Sequence, residues 1–565
     1  RSICFMCYGI GSMVQLSSDG KQAIAAGLAL IACLFMLSNA SAAQKAAATD
    51  TAAAVPQLFA TSDKCMACHN GLVTKTGQDV SIGFNWQSSM MAHSAKDPYW
   101  QASVRRETLA HPNAMQSIED ECSACHMPMA RYQAKASGQK GRVFANLPVL
   151  PARTPTGAIA GDGVSCSMCH QIQSDKLGTE ESFTAGFAVD EKTPPGQRSI
   201  FGPYEVDAGR SGIMQSASQF NPQKGMHMQD SALCGSCHTL YTHTRGPDGE
   251  VVGTLPEQVP YLEWQHSDYY GTRNCQSCHM PQLEKQMAIT AVLGQPRKNF
   301  SRHVFRGGNF FMPKIFNQYR AELGVTALPQ DLAQAAQETS RNLTDDSARV
   351  TISRAEISGN RLEAEVELAN LAGHKLPTAY PSRRAWLHLT VKDRNGQTVF
   401  ESGALNSDGS IAGNINDSDR TRYEPHYELI ETEEQVQIYE AIMADPKNNV
   451  TTGLLKAIRF IKDNRMLPGG FDKSTAQNDI AVKGNADADA NFTGGGDTVR
   501  YAVPLTAGSG PYSIQAELWY QPIGFRWAQN LKQQQAAEID RFVSYFNANS
   551  QQSGIVMATD MKSVK

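Results

Sequence analysis

The chain has 565 residues, a formal net charge of −4, and 41% hydrophobic against 19% charged residues. So even a balance excludes nucleic-acid binding through bulk positive charge, and the length exceeds what one core usually serves, so two or more domains are expected. Thirteen cysteines stand out, and all but Cys4, Cys7 and Cys33 fall in one repeated motif.

At the amino-terminal end Lys21 precedes an apolar run, Ala23–Leu37, followed by Ala40-Ser41-Ala42. A charged start, an apolar core and a small-residue cleavage site predict a secretory signal peptide over residues 1–43. Residues 1–12 precede Met13 and read as an upstream extension of the frame. The apolar run falls short of the roughly 20 residues that span a bilayer, so the mature chain is expected to have no membrane span. Leu30-Ile31-Ala32-Cys33 also fits a lipid-attachment pattern, which keeps a lipoprotein as a second reading. Either way the expected location is the periplasm or the cell surface.

Residues 44–312 carry five copies of Cys-x-x-Cys-His: Cys65/Cys68/His69, Cys122/Cys125/His126, Cys166/Cys169/His170, Cys234/Cys237/His238 and Cys275/Cys278/His279. This is the attachment signature of c-type haem. The two thiols add across the haem vinyl groups, and the next residue offers its imidazole to the iron. Zinc would want paired Cys-x-x-Cys units at matched separation, whereas these lie at unequal intervals and each carries the trailing His. Five covalently bound haem c groups are therefore expected, with His69, His126, His170, His238 and His279 as proximal ligands. About 50 residues per haem cannot form a protein core around each, so the haems themselves are expected to be the core, stacked between short helices and loops. One such helix should run from Gln116 into Cys122.

Five irons need five further axial positions. His93, His111, His227, His243 and His303 lie in the same segment and are candidates for the distal side, with His266 and His374 as further candidates. His388, mid-strand, and His426, in a loop, are set aside. Met90, Met91, Met226 and Met228 compete, and thioether ligation would raise the haem potential.

Residues 313–346 read as a helical linker. From about Ala348 the period changes to two: Leu362, Ala364, Val366 and Leu368 alternate with Glu363, Glu365 and Glu367 as in a half-buried strand. Leu387, Leu389 and Val391, a turn at Asn395-Gly396, Val499–Val503 and Tyr512–Leu518 continue the pattern. Helices are expected at 433–443, where Thr432 and Gln435 suggest a capping box, and at 452–462. Residues 347–525 thus predict a mainly β, immunoglobulin-like sandwich with helical insertions, and 526–565 a terminal helix and tail. Asn485-x-Asp487-x-Asp489-x-Asn491 resembles a calcium loop but lacks the glycine and the bidentate glutamate of one.

Cys122–Met129 (Cys-Ser-Ala-Cys-His-Met-Pro-Met), Asp230–His238, Tyr261–Trp264 followed by Cys275–Pro281, and Gly373–Arg384 together resemble the bacterial multihaem cytochromes related to cytochrome c-554. That resemblance spans roughly residues 60–530. It implies closely stacked haems, an appended β domain and electron transfer in periplasmic or cell-surface respiration, with redox partner proteins such as other cytochromes or a quinol-oxidising complex. Two alternatives stay open. One is a multihaem reductase of the nitrite or hydroxylamine kind, with one open haem and Arg302, Arg306 or Tyr241 to bind an oxyanion. The other is a conductive surface or filament subunit formed by self-assembly. No nucleotide or hydrolase motif is present.

Overall fold

The Cys-x-x-Cys-His motifs lie on or run out of short helical segments: Asp63–His69, the end of Met115–His126, Cys166–Cys169 followed by His170, Cys275–His279, and Ser231–Gly235, which holds Cys234 and is followed by Cys237 and His238 in a turn. Helical spacing is what puts residues i and i+3 on one side, so both thiols of a motif can meet one edge of a planar group. The computed structural model describes residues 56–149, 154–505 and 510–565. The expected signal peptide lies outside the described residues. Between the motif helices run short helices and two-stranded ribbons, the longest ribbon pairing Leu240–Arg245 with Val251–Gln258.

The second half is built on two larger sheets, with a third of three short strands, Val450–Thr451, Ala441–Ala444 and Arg459–Asp463. Ala348–Ser358 (β1) and Arg361–Asn370 (β2) form a hairpin, turned by Gly359 at φ 62°. Arg384–Lys392 (β3) and Thr398–Ser402 (β4) form another, with the expected Gly396 turn at φ 78°. Gly496–Pro504 (β5) pairs antiparallel with β2, setting Val499 opposite Val366 and Tyr501 opposite Ala364. Tyr512–Gln521 (β6) lies between β3 and Ile555–Val564 (β7). One sheet therefore runs Leu429–Ile430, β5, β2, β1, and the other β4, β3, β6, β7, with Ile438–Tyr439 added to β3. Leu362, Ala364, Val366 and Leu368 are all buried, as their alternation predicts.

Three local expectations are corrected. Residues 433–443 form no helix: Ile438–Tyr439 and Ala441–Ala444 are strands. The physical reason is that residues 436–444 are buried on every side, and a run buried all round shows no period by which helix and strand can be told apart. The Thr432–Gln435 pair does meet, with Gln435 Oε1 accepting from the backbone N–H of Glu431 and Thr432, but it closes a turn. At 452–462 there is one turn, Leu454–Lys456, and then a strand, Arg459–Asp463. The expected terminal helix is two, Phe525–Asn530 and Ala537–Asn549, and the tail is β7.

The halves share their apolar interior. One buried cluster joins Tyr99, Phe183, Tyr261 and Phe310–Met312 to Leu362, Val366, Tyr520, Phe542 and Phe546, and residues 56–565 group as one compact unit. The segment expected as a linker is helical at Phe311–Gln318, Arg320–Leu323 and Pro329–Asp346, but it is docked, burying Leu332, Ala336 and Leu343. Arg105 pairs with Glu538 across the two halves at 2.8 Å. Among the described residues no helix is long and apolar enough to cross a membrane.

Candidate functional site

A cavity of about 1400 Å³ runs past all five motifs, larger than the ~300–1,000 Å³ of a usual single-ligand pocket. His69, His126, His170, His238 and His279 all line it. So do residues of the β half, including His374, Tyr380, Arg383 and Tyr520. All ten motif cysteines are half-buried. Thiols of different motifs come together: Cys65 with Cys166, Cys125 with Cys237, and Cys234 with Cys275. Burial pushes the Cys169 thiol up to about 12, and nearby Cys237 adds to the rise. Motifs one and three, two and four, three and four, and four and five are therefore neighbours. Hydrogen bonding from Cys234 holds the Cys275 thiol down at about 7.

One member of the expected attachment set is placed differently from the rest. Nine motif cysteines line the cavity together with their histidines, whereas Cys68 does not. The physical reason lies in what packs on the first motif. The Cys68 carbonyl accepts from the backbone N–H of Ala291 and from Thr290 Oγ1, so the 289–291 loop is fastened over the last turn of the Asp63–His69 helix. Cys65 and His69, on either side of Cys68, still line the cavity.

Four motif histidines share one device. Their Nδ1 atoms meet backbone carbonyls: His69 with Ile289, His126 with Ser94, His170 with Phe201, and His279 with Arg306. A carbonyl only accepts, so Nδ1 carries the proton and Nε2 keeps its lone pair, the arrangement that orients an imidazole toward a metal. Burial also keeps these rings in the neutral, ligating form, pushing His126 and His279 down to about 4. Trp100 lies flat on His126 with ring centroids 4.4 Å apart.

Two of the motif histidines face a second imidazole. His303 lies opposite His170, with centroids 6.3 Å apart and planes within 18°. His374 lies opposite His279 at 6.2 Å and 12°. His303 Nδ1 is bonded to Ser301 O and His374 Nδ1 to Lys375 O, so both again present Nε2. A metal bound by one nitrogen from each ring at about 2 Å would hold the centroids about 6 Å apart. The cysteine pairs, the neutral rings and these two gaps fit a haem at each of the two positions.

The remaining distal candidates are placed differently. His93 is 1% exposed with both ring nitrogens unpartnered, packed against Phe316, but it does not line the cavity. His111 is buried with Nε2 free of hydrogen bonds, 4.0 Å from Glu107. His227 and His266 spend Nε2 on the carbonyls of Ile172 and Asp472. His243 lines the cavity beside Glu121. Met90, Met91 and Met228 line it too, whereas Met226 is exposed. Among the described residues no imidazole faces His69, His126 or His238 at the separation of the two pairs.

The residues considered for an oxyanion have other partners: Tyr241 donates to Asp479, Arg302 pairs with Glu338, and Arg306 donates to Cys278 O. The loop considered for calcium is used by a lysine, since Lys473 Nζ donates to the carbonyls of Ala486, Asp487 and Asp489. Sequence reasoning missed Glu257. It is buried and near Cys122, and burial pushes its carboxyl up to about 7. Its place in an ordinary-looking strand offered no signal.

No family model matches this chain, and no curated protein does. Among solved structures, the crystal structure of a penta-heme cytochrome c552 from Thermochromatium tepidum is similar in fold. It is 16% identical, with a TM-score of 0.51, and the match covers 90% of this chain and 100% of that one.

Proposed function

We propose that this chain is an electron-transfer protein that carries five covalently attached haem c groups and works outside the cytoplasm. The observation that carries this reading is the pair of gaps between His170 and His303 and between His279 and His374, each sized for one metal between two imidazoles. When bound there, the group would supply a one-electron redox couple, and His170 with His303, and His279 with His374, would hold it. The protein's own part is to hold the rings. Carbonyl oxygens fix all four tautomers, burial keeps the rings neutral, and neighbouring thiols place the motifs in contact.

The motif contacts support a connected path in which the fourth motif touches the second, third and fifth. Electrons would enter and leave through partner proteins of the same chemistry, other cytochromes or a quinol-oxidising complex. The β half, in our reading an immunoglobulin-like sandwich, supplies one wall of the cavity and the ligand His374.

A second reading, a multihaem reductase, draws on the absence of a facing imidazole at His69, His126 and His238 among the described residues. Both readings meet the same experiment. Pyridine haemochrome analysis of the matured protein should give about five haems per chain. Electron paramagnetic resonance with carbon monoxide titration should then show at least the haems at Cys166/Cys169 and Cys275/Cys278 low-spin and closed to carbon monoxide. Turnover of nitrite or hydroxylamine together with stoichiometric carbon monoxide binding would reject the carrier and favour the reductase.

A further inference from the structure

The loop that carries His374 is gripped from behind the cavity wall by the stretch of chain that leads into the fifth motif. Leu371–Thr378 follows strand β2, and residues 260–273 precede Cys275. Glu263, on the helix Pro260–Gln265, is 0% exposed and sends its carboxylate into that loop. Its Oε2 accepts from the Lys375 N–H at 3.1 Å and from Thr378 Oγ1 at 2.5 Å. Its Oε1 pairs with Arg465 Nη1 at 3.0 Å. Tyr269 adds a second hold: its hydroxyl donates to Leu371 O at 3.0 Å. A Cβ on Gly373 would fall 2.4 Å from the Tyr269 ring, so a side chain there would push the loop away. From β2, Asn370 Nδ2 donates to His374 O at 2.9 Å.

Lys375 joins these holds to the imidazole. Its carbonyl accepts from His374 Nδ1 at 2.9 Å, its N–H is spent on Glu263, and its buried ammonium pairs with Asp463 at 2.8 Å. Arg465 bridges Asp463 and Glu263. Two buried acids and two buried bases therefore balance, and breaking one pair would leave a buried charge uncompensated. Neither Glu263 nor Lys375 lines the cavity, so their effect on a group held there passes through the loop. Ordering a loop and a ring costs entropy at each binding event, and partners standing behind a ligating histidine typically change metal affinity about 10–100-fold.

We propose that Glu263 is a positioning residue for His374: through Lys375 and Thr378 it fixes the loop so that the imidazole stays across from His279. The inference rests on the reading of His374 as an iron ligand and adds what keeps that ligand in place.

The test is electron paramagnetic resonance and carbon monoxide titration of the haem-loaded full chain. Glu263→Ala should turn one low-spin haem partly high-spin and, when reduced, bind roughly 0.3–1 carbon monoxide per chain beyond the parent. Added to His374→Ala, it should open no site beyond the one that His374→Ala opens alone. Thr378→Val removes one hydrogen bond from Oε2 and no charge. It should give the same change in a smaller fraction of molecules, and it decides the matter if Glu263→Ala does not accumulate. Phe400→Ala, which loosens the buried contact between β4 and β5 instead, should keep the spin state of the parent. Glu263→Ala and Thr378→Val both low-spin and closed, beside an open His374→Ala, would overturn the positioning role and leave the ligand reading standing. An equal opening in Phe400→Ala would also overturn it, because general loosening would then be the cause. If His374→Ala opened no haem, the ligand reading would fall and the positioning role with it.

Discussion

At the scale of single residues, ligation and titration are separable. His303→Ala should leave the haem at Cys166/Cys169 with one open side, and His374→Ala should do the same at Cys275/Cys278. Each variant should show one more high-spin haem and bind about one more carbon monoxide per chain than the parent when reduced. His227→Ala and His266→Ala should not, because their Nε2 atoms are already bonded to carbonyls. Glu257 makes a different prediction. Burial raises its carboxyl from 4.5 to about 7, so the folded state disfavours the charged form. Stability from this group is therefore fullest below about pH 4.5 and is lost as pH rises to about 7, with a cost on the order of 3 kcal/mol above that. Adding an electron to a haem beside Cys122 would hold the proton more tightly. The potential of that haem should be flat below about pH 7 and fall above it by at most ~59 mV per unit. In Glu257→Gln potentiometry should find the dependence gone.

At the scale of elements, the contact between Pro98–Ala110 and Ala537–Asn549 fastens the first half to the last helix. Phe542 is fully buried there and packs on Tyr99 at 4.9 Å. Phe542→Ala should cost about 3–5 kcal/mol in denaturant unfolding. Arg105→Ala removes only the partly exposed pair with Glu538 and should cost no more than ~1 kcal/mol. The motif helices are largely legible by spacing, although Cys237 and His238 follow their helix in a turn. What spacing does not show is the loop that packs on a motif, which is why the place of Cys68 outside the cavity lining was not legible. The strands at 438–439 and 441–444 were not legible either, because Val436, Ile438, Tyr439 and Ile442 are buried on both faces and leave no alternation to read.

At the scale of the whole molecule, the shared interior predicts one cooperative unit. Visible absorbance from the haems and far-ultraviolet dichroism from the sheets should change together on heating. Limited proteolysis should spare residues 313–346, because Ala336 is buried and Leu332 and Leu343 belong to the joint core. Early cutting there, releasing a colourless β fragment, would restore the picture of two domains joined by a linker. The two-domain expectation came from chain length, and the change of period near Ala348 placed its boundary; neither carries information about which surfaces later pack together.

By itself the sequence determined the five Cys-x-x-Cys-His motifs and the strands around Leu362–Leu368, Leu387–Val391, Val499–Val503 and Tyr512–Leu518. Each is a short-range pattern in which chemistry or burial follows from residues a few positions apart. Which histidine stands across from which was decided only in three dimensions. His303 reaches His170 from 133 residues on, and His374 reaches His279 from within the β half. The carbonyls that set the ring tautomers come from Ile289, Phe201 and Arg306, remote in the chain. Facing pairs depend on how the backbone returns to the cavity, and a separation along the chain does not encode a separation in space.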